Sequence, residues 1–230
     1  MAVAYDAASS SSGVSVATLT WSHTCSGSDR VLYALLEFDA TAVTVSSVTY
    51  NGAALTSVGR VAGAGSFGGV VEIWRRIAPS TGANNIVANF SANTDIVGGG
   101  HSFTGADQTT PNGTFTSATG TSTAPSVSIT SASDEIVIDG VLHTHSTGGT
   151  PTLSVGAGQT QRWNATPSVW IVGGGSTEAG AGSVTMSWTA SPSDPWAIAG
   201  VSVKPAAGGA VTTPPRPLIV RQAVKRAASW

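Results

Sequence analysis

Cysteine is nearly missing: Cys25 stands alone among 230 residues, so no intrachain disulfide can form and stability must come from packing. Charge is scarce as well. Only 10% of residues are Asp, Glu, Lys or Arg, against about 25% in an average soluble domain. No run approaches the ~18 apolar residues of a membrane-spanning helix, so no membrane contact is expected. The body has no sustained 3.6-residue apolar period, which excludes a helical bundle. No glycine-rich loop leads into a helical pattern, which removes the usual nucleotide-phosphate cradle. The opening MAVAYDAASSSSG has neither a basic n-region nor an apolar h-region. It does not read as a signal peptide, and a protein made and soluble in a cytoplasm is expected.

The charge that is present is unevenly placed. All twelve acidic residues and six of the ten basic ones precede residue 206, leaving the body at −6. The last 25 residues carry Arg216, Arg221, Lys225 and Arg226 without an acid, a local +4. An acidic body argues against a nucleic-acid binder. A basic tail beside it reads as a separate docking segment.

What fills the body is β pattern. Runs such as VSVATLTW (14–21), RVLYALLEF (30–38), VVEIWRRI (70–77), EIVIDGVLH (135–143), PSVWIV (167–172) and WAIAGVSV (196–203) are rich in β-branched and aromatic residues. Asn51-Gly52, Gly68-Gly69 and Gly148-Gly149 punctuate them as turns. Many short strands at this spacing predict an all-β, jelly-roll-like sandwich.

The chain also repeats itself. RVLYALLEFDA at 30 corresponds to EIVIDGVLHTH at 135, and three further segments follow in the same order to residue 205. The offset drifts only between about 98 and 105 residues. This predicts two pseudo-repeated antiparallel units, about 14–111 and 112–205, that complete each other's core within one sandwich, with two small domains as the alternative. Residues 1–13 are expected to form an N-terminal arm. After residue 205, AAGGAVTTPPRP reads as a Gly- then Pro-rich linker. It leads to LIVRQAVKRAASW, in which Leu218, Ile219, Val220, Val224 and Trp230 are too much apolar surface to leave in water. With Arg216, Arg221, Lys225 and Arg226 they form the expected docking residues of a C-terminal arm.

SVTYNGAALTSVG (47–59), followed by VEIWRRIAPSTGANNIVANFS and SFTGADQTTP (102–111), resembles a β-sandwich module found in structural proteins of tailed bacteriophages. The resemblance covers roughly residues 14–205. It implies a non-catalytic role on a virion: a capsid decoration or head-associated protein. A tail-tip, fibre or receptor-binding component is the alternative. The partners it implies are other virion subunits, major capsid or tail proteins, in a homo-oligomeric assembly. No catalytic residues carry over.

His143 and His145, two apart on a strand, share a face and could be two metal ligands with His101 or Asp139 as a third. A solvated strand end is the preferred reading, since the comparable end in the first half carries Glu37 and Asp39, also polar. No metal or cofactor is therefore expected. Ser66 in AGSFG falls one residue short of a nucleophile elbow and lacks its strand and helix. The acids are too scattered for a glycosidase pair, Asp134-Glu135 sitting at a strand start. No enzyme is expected. Trp74, Trp170, Trp188 and Trp196 lie in strand patterns and read as core. Trp163, beside Arg162, is the candidate contact for a host-surface glycan, because exposed aromatic faces stack on sugar rings.

Overall fold

The computed structural model describes residues 2–63 and 67–207, and every described regular element is a β-strand, fifteen in all. The first unit holds β1 (Ala4–Cys25), β2 (Val31–Phe38), β3 (Val45–Tyr50), β4 (Ala53–Ala54), β5 (Thr56–Ala62), β6 (Val70–Ile77) and β7 (Gly82–Thr104). The second holds β8 (Thr116–Ser122), β9 (Ser126–Thr130), β10 (Ile136–Thr144), β11 (Thr152–Val155) and β12 (Thr160–Ala165). It closes with β13 (Ile171–Ala179), β14 (Ser183–Ser191) and β15 (Asp194–Val203).

The strand pairing repeats between the units. In the first, β5, β6, β2, β7 and β1 lie in that order, and β3 also pairs with β7. In the second, β12, β13, β10, β15 and β8 form one sheet and β11, β14 and β9 another. Val31 pairs with Ile77 and Phe103, and its counterpart Ile136 pairs with Ala179 and Val203. One difference is local. β1 and β7 form a long antiparallel ribbon that keeps the first unit's strands in one seven-stranded sheet, whereas the second unit divides the same path into β14 and β15, in separate sheets, around Pro192. A proline has no N–H to give a ladder, so the strand stops there. The first unit's ribbon bends instead through register shifts at Gly13–Val16 and Val16–Thr18.

Three apolar layers result. Leu32, Ala34, Leu36 and Phe38 face the first unit's own core with Trp21, Ile86 and Ile96. Val137 and Val141 face the second unit's own core with Ile129, Met186 and Trp188. Val31, Tyr33 and Leu35 meet Ile138, Leu142 and Val201 in a central layer between the units. β2 is buried along its whole length and β10 from its second residue on. That is why VLYALLEF reads as a continuous apolar run and not as an alternation. The units thus share a core, and each also encloses one of its own.

Two resembling motifs take defined structural roles. Asn51 and Gly52, with φ of 50° and 74°, form the tight turn from β3 to β4; such a two-residue turn needs positive φ at both positions. FTGADQTTP forms the strap between the units: Asp107 N–H donates to the Lys204 carbonyl and Lys204 N–H to the Pro111 carbonyl. The Asp107 carboxylate caps its own turn by accepting from the Thr109 hydroxyl and from the amides of Thr109 and Thr110, and these bonds, the hydroxyl's foremost, hold its pKa down at about 2.

Residues 4–13, expected as an arm, are instead the first half of β1, paired with β7 from Thr104 to Ile96. Their run of serines hides the alternation by which strands are recognised, and only the long partner strand makes the segment regular. The expected C-terminal arm falls almost wholly outside the described residues.

Candidate functional site

The docking residues Arg216, Leu218, Ile219, Val220, Arg221, Val224, Lys225, Arg226 and Trp230 lie outside the described residues, as does Ser66. Trp163 is described, and the glycan-stacking expectation fails for it. Its side chain is only 5% exposed and sits in the central layer. There the ring lies 4.5 Å from His101, centroid to centroid, and Nε1 points at Glu37 Oε2 across 3.4 Å. The glycine runs at 98–100 and 173–175 make this possible. A Cβ on either Gly99 or Gly175 would stand 2.1 Å from Trp163 Cζ2, so both glycines are where the indole needs the space. Arg162, on the opposite face of β12, lays its guanidinium 3.6 Å from the Tyr5 ring centroid and donates to Thr177 Oγ1. It is committed to joining β12 to β1.

The histidine pair is not a solvated strand end. His143 is fully buried, and its Nε2 lies 2.9 Å from the Pro192 carbonyl. Burial lowers its pKa. His145, just past β10, places Nδ1 2.9 Å from Asp194 Oδ2. Asp194 also accepts from Ser146 Oγ, at 2.6 Å. Among the described residues no group of three His, Cys, Asp or Glu side chains converges as metal ligands; Asp139 accepts from Ser176 and Trp188, and His101 packs against Trp163. Glu37, expected to emerge from the core, is fully buried too.

Buried polar groups are concentrated in and around the central layer. Burial, with Asp139 adding repulsion, pushes the Glu37 carboxyl well above its ordinary range. His101 is held well below its ordinary value by burial, with Arg162 contributing; both its ring nitrogens are without partners. Asp139 receives Ser176 N–H and Oγ–H and Trp188 Nε1–H at 2.9, 2.6 and 2.7 Å. Burial nonetheless raises its pKa to about 6. Two carboxyls with raised pKa would suit acid–base work if they faced a cleft. Both are 0% exposed and face the packed interior, not a cleft.

One nucleophile–base pair exists by distance: Ser9 Oγ lies 2.7 Å from His23 Nδ1. His23 is 1% exposed, its Nε2 has no partner, and burial depresses its pKa to about 4. Among the described residues no carboxylate accepts from Nε2 to orient the ring, as the third member of a catalytic triad does.

The surface is different at one end of the stack. Among the described residues only four large hydrophobic side chains are exposed: Val14, Phe67, Val169 and Trp170. Phe67 and Trp170 line one groove of about 350 Å³ together with Asp39, Thr144 and Ser146, and Val169 adjoins it in sequence. Asp39 follows β2 and Phe67 precedes β6, so the first unit supplies one wall. Thr144 ends β10 and Trp170 precedes β13, so the second supplies the other. Thr144 Oγ1 donates to the Phe67 carbonyl at 2.6 Å and ties the walls together. Trp170, expected as core, is 43% exposed. The run PSVWIV enters its strand only at Ile171, because Ser168 first turns the chain and accepts from Trp170 N–H. The Pro167-Ser168 pair was the signal for that turn. Comparison with protein-family models, curated proteins and solved structures finds no match.

Proposed function

We propose that this chain is a non-catalytic structural protein of a tailed-phage particle, most simply a capsid decoration or head-associated subunit. The observation that carries the reading is the resemblance of residues 14–205 to a virion sandwich module. Its two most specific motifs are the Asn51-Gly52 turn between β3 and β4 and the FTGADQTTP strap. Burial of Glu37, Asp139, His101 and His143 away from solvent is in keeping with a protein that works by surface complementarity. The basic, apolar segment 218–230 supplies a docking element of opposite charge to the body. A sheet edge or groove on a neighbouring subunit is its counterpart.

The test is a quantitative mass-spectrometric inventory of purified particles, paired with a truncation after Ala207. The chain is expected at a fixed stoichiometry to the major capsid protein. The truncated protein is expected to keep its melting temperature and fail to incorporate. Absence from particles overturns the reading, and normal incorporation of the truncated protein overturns the role of the arm.

A further inference from the structure

We infer that the groove between Phe67 and Trp170 is a binding site for a neutral carbohydrate. Phe67 and Trp170, 46% and 43% exposed, are the only exposed large aromatic side chains among the described residues, and both line it. Aromatic faces left in water at one place mark a binding surface more than chance does. The Trp170 ring is also positioned. A Cβ on Gly148 would stand 3.3 Å from Trp170 Cη2, so the turn at 148 supports the ring while much of it stays open.

The polar lining selects the ligand. Among the described residues no lysine or arginine lines the groove, so its described lining offers no cation to pair with a phosphate or a sulfate. Its polar groups present acceptors. Asp39 uses Oδ1 to take Thr94 Oγ1–H at 2.8 Å, and its Oδ2 has no protein partner among the described residues. The hydroxyl protons of Ser146 and Thr144 are spent on Asp194 and on the Phe67 carbonyl, at 2.6 Å each, so their oxygens are left to accept. A ligand that fits must offer several O–H donors at its edge and an apolar face to a ring. A pyranose has that combination: C–H bonds on a face and hydroxyls around the rim. A purely apolar ligand would strip water from Asp39 without replacing it. A cation would want rings closed around it and desolvated, whereas these two are open. The junction of two structural units is also where small-molecule sites tend to form.

This reading goes beyond the virion role and stands apart from it. A glycan-binding chain absent from every particle would support this inference and sink that one. The test uses the purified full-length chain on an array of neutral and N-acetylated oligosaccharides, followed by calorimetric titration with the strongest binder. Methylammonium and inorganic phosphate serve as the cationic and anionic probes. At least one neutral glycan is expected to bind. Trp170→Ala is expected to weaken it by about tenfold or more, the loss for one stacked ring. Asp39→Asn and Phe67→Ala, each also at the groove surface, are expected to weaken it separately, so the test does not rest on one variant. Trp163→Phe, away from the groove, is expected to leave affinity unchanged. An array without a binder overturns the proposal. So does binding that survives both Trp170→Ala and Phe67→Ala, or a preference for methylammonium or phosphate over every glycan.

Discussion

Gly99→Ala adds one methyl group at the point where the two units meet. Its ideal Cβ would fall 2.1, 2.3 and 2.4 Å from Cζ2, Cε2 and Cη2 of Trp163, where carbon atoms prefer about 3.5–4.0 Å. The indole cannot easily yield. Gly175 allows equally little room, the His101 ring is 4.5 Å away, and Nε1 is directed at Glu37. Overpacking of a rigid core costs about 1–3 kcal/mol, sometimes more, and a clash this deep belongs at the upper end. Replacing a strand glycine with alanine returns about 0.5–1 kcal/mol. The net loss is therefore about 2–3 kcal/mol, or about 5–10 °C in melting temperature for a chain of this size. Urea denaturation followed by circular dichroism measures it. The control is the same substitution in a Trp163→Leu background. There the methyl group has space, so Gly99→Ala becomes neutral or slightly stabilising, and the cycle yields a coupling of about 2–3 kcal/mol. Equal cost in the two backgrounds would refute the claim that the glycine run exists to seat the indole.

Two further outcomes follow from the buried polar groups. Asp139, raised from 3.8 to about 6 in the folded protein, binds its proton more tightly folded than unfolded. Its contribution is complete below about pH 4 and is lost as pH rises to about 6, a change of about 3 kcal/mol for a two-unit shift. Asp139→Asn should flatten wild-type stability across that interval, and an unchanged pH slope would contradict the assignment. Replacing His143 with alanine removes a fully buried ring and its contact to the Pro192 carbonyl, at an expected cost of about 1–3 kcal/mol. Thermal denaturation giving a loss below about 0.5 kcal/mol would restore the solvated reading.

The all-β, sandwich-like class could be read directly from the sequence, for a physical reason. Local β-propensity, Asn51-Gly52 and the ordered recurrence of apolar runs are properties of neighbouring residues, and pairing in both units respects them. Residues 4–13 escaped because a serine-rich strand carries no alternation; β7 makes it a strand by lying beside it. Which face is covered is decided by the other unit. Trp163 and Trp170 differ by seven positions and look alike in sequence. One is sealed between glycines contributed by β7 and β13, and the other is left on a groove wall. Glu37 and His143 read as polar strand ends until the second layer closes over them. The groove itself joins Asp39 and Phe67 to Thr144, Ser146 and Trp170. Sequence determined the all-β class, because strand propensity is local, and only the packing of strand on strand decided which polar and aromatic side chains meet solvent.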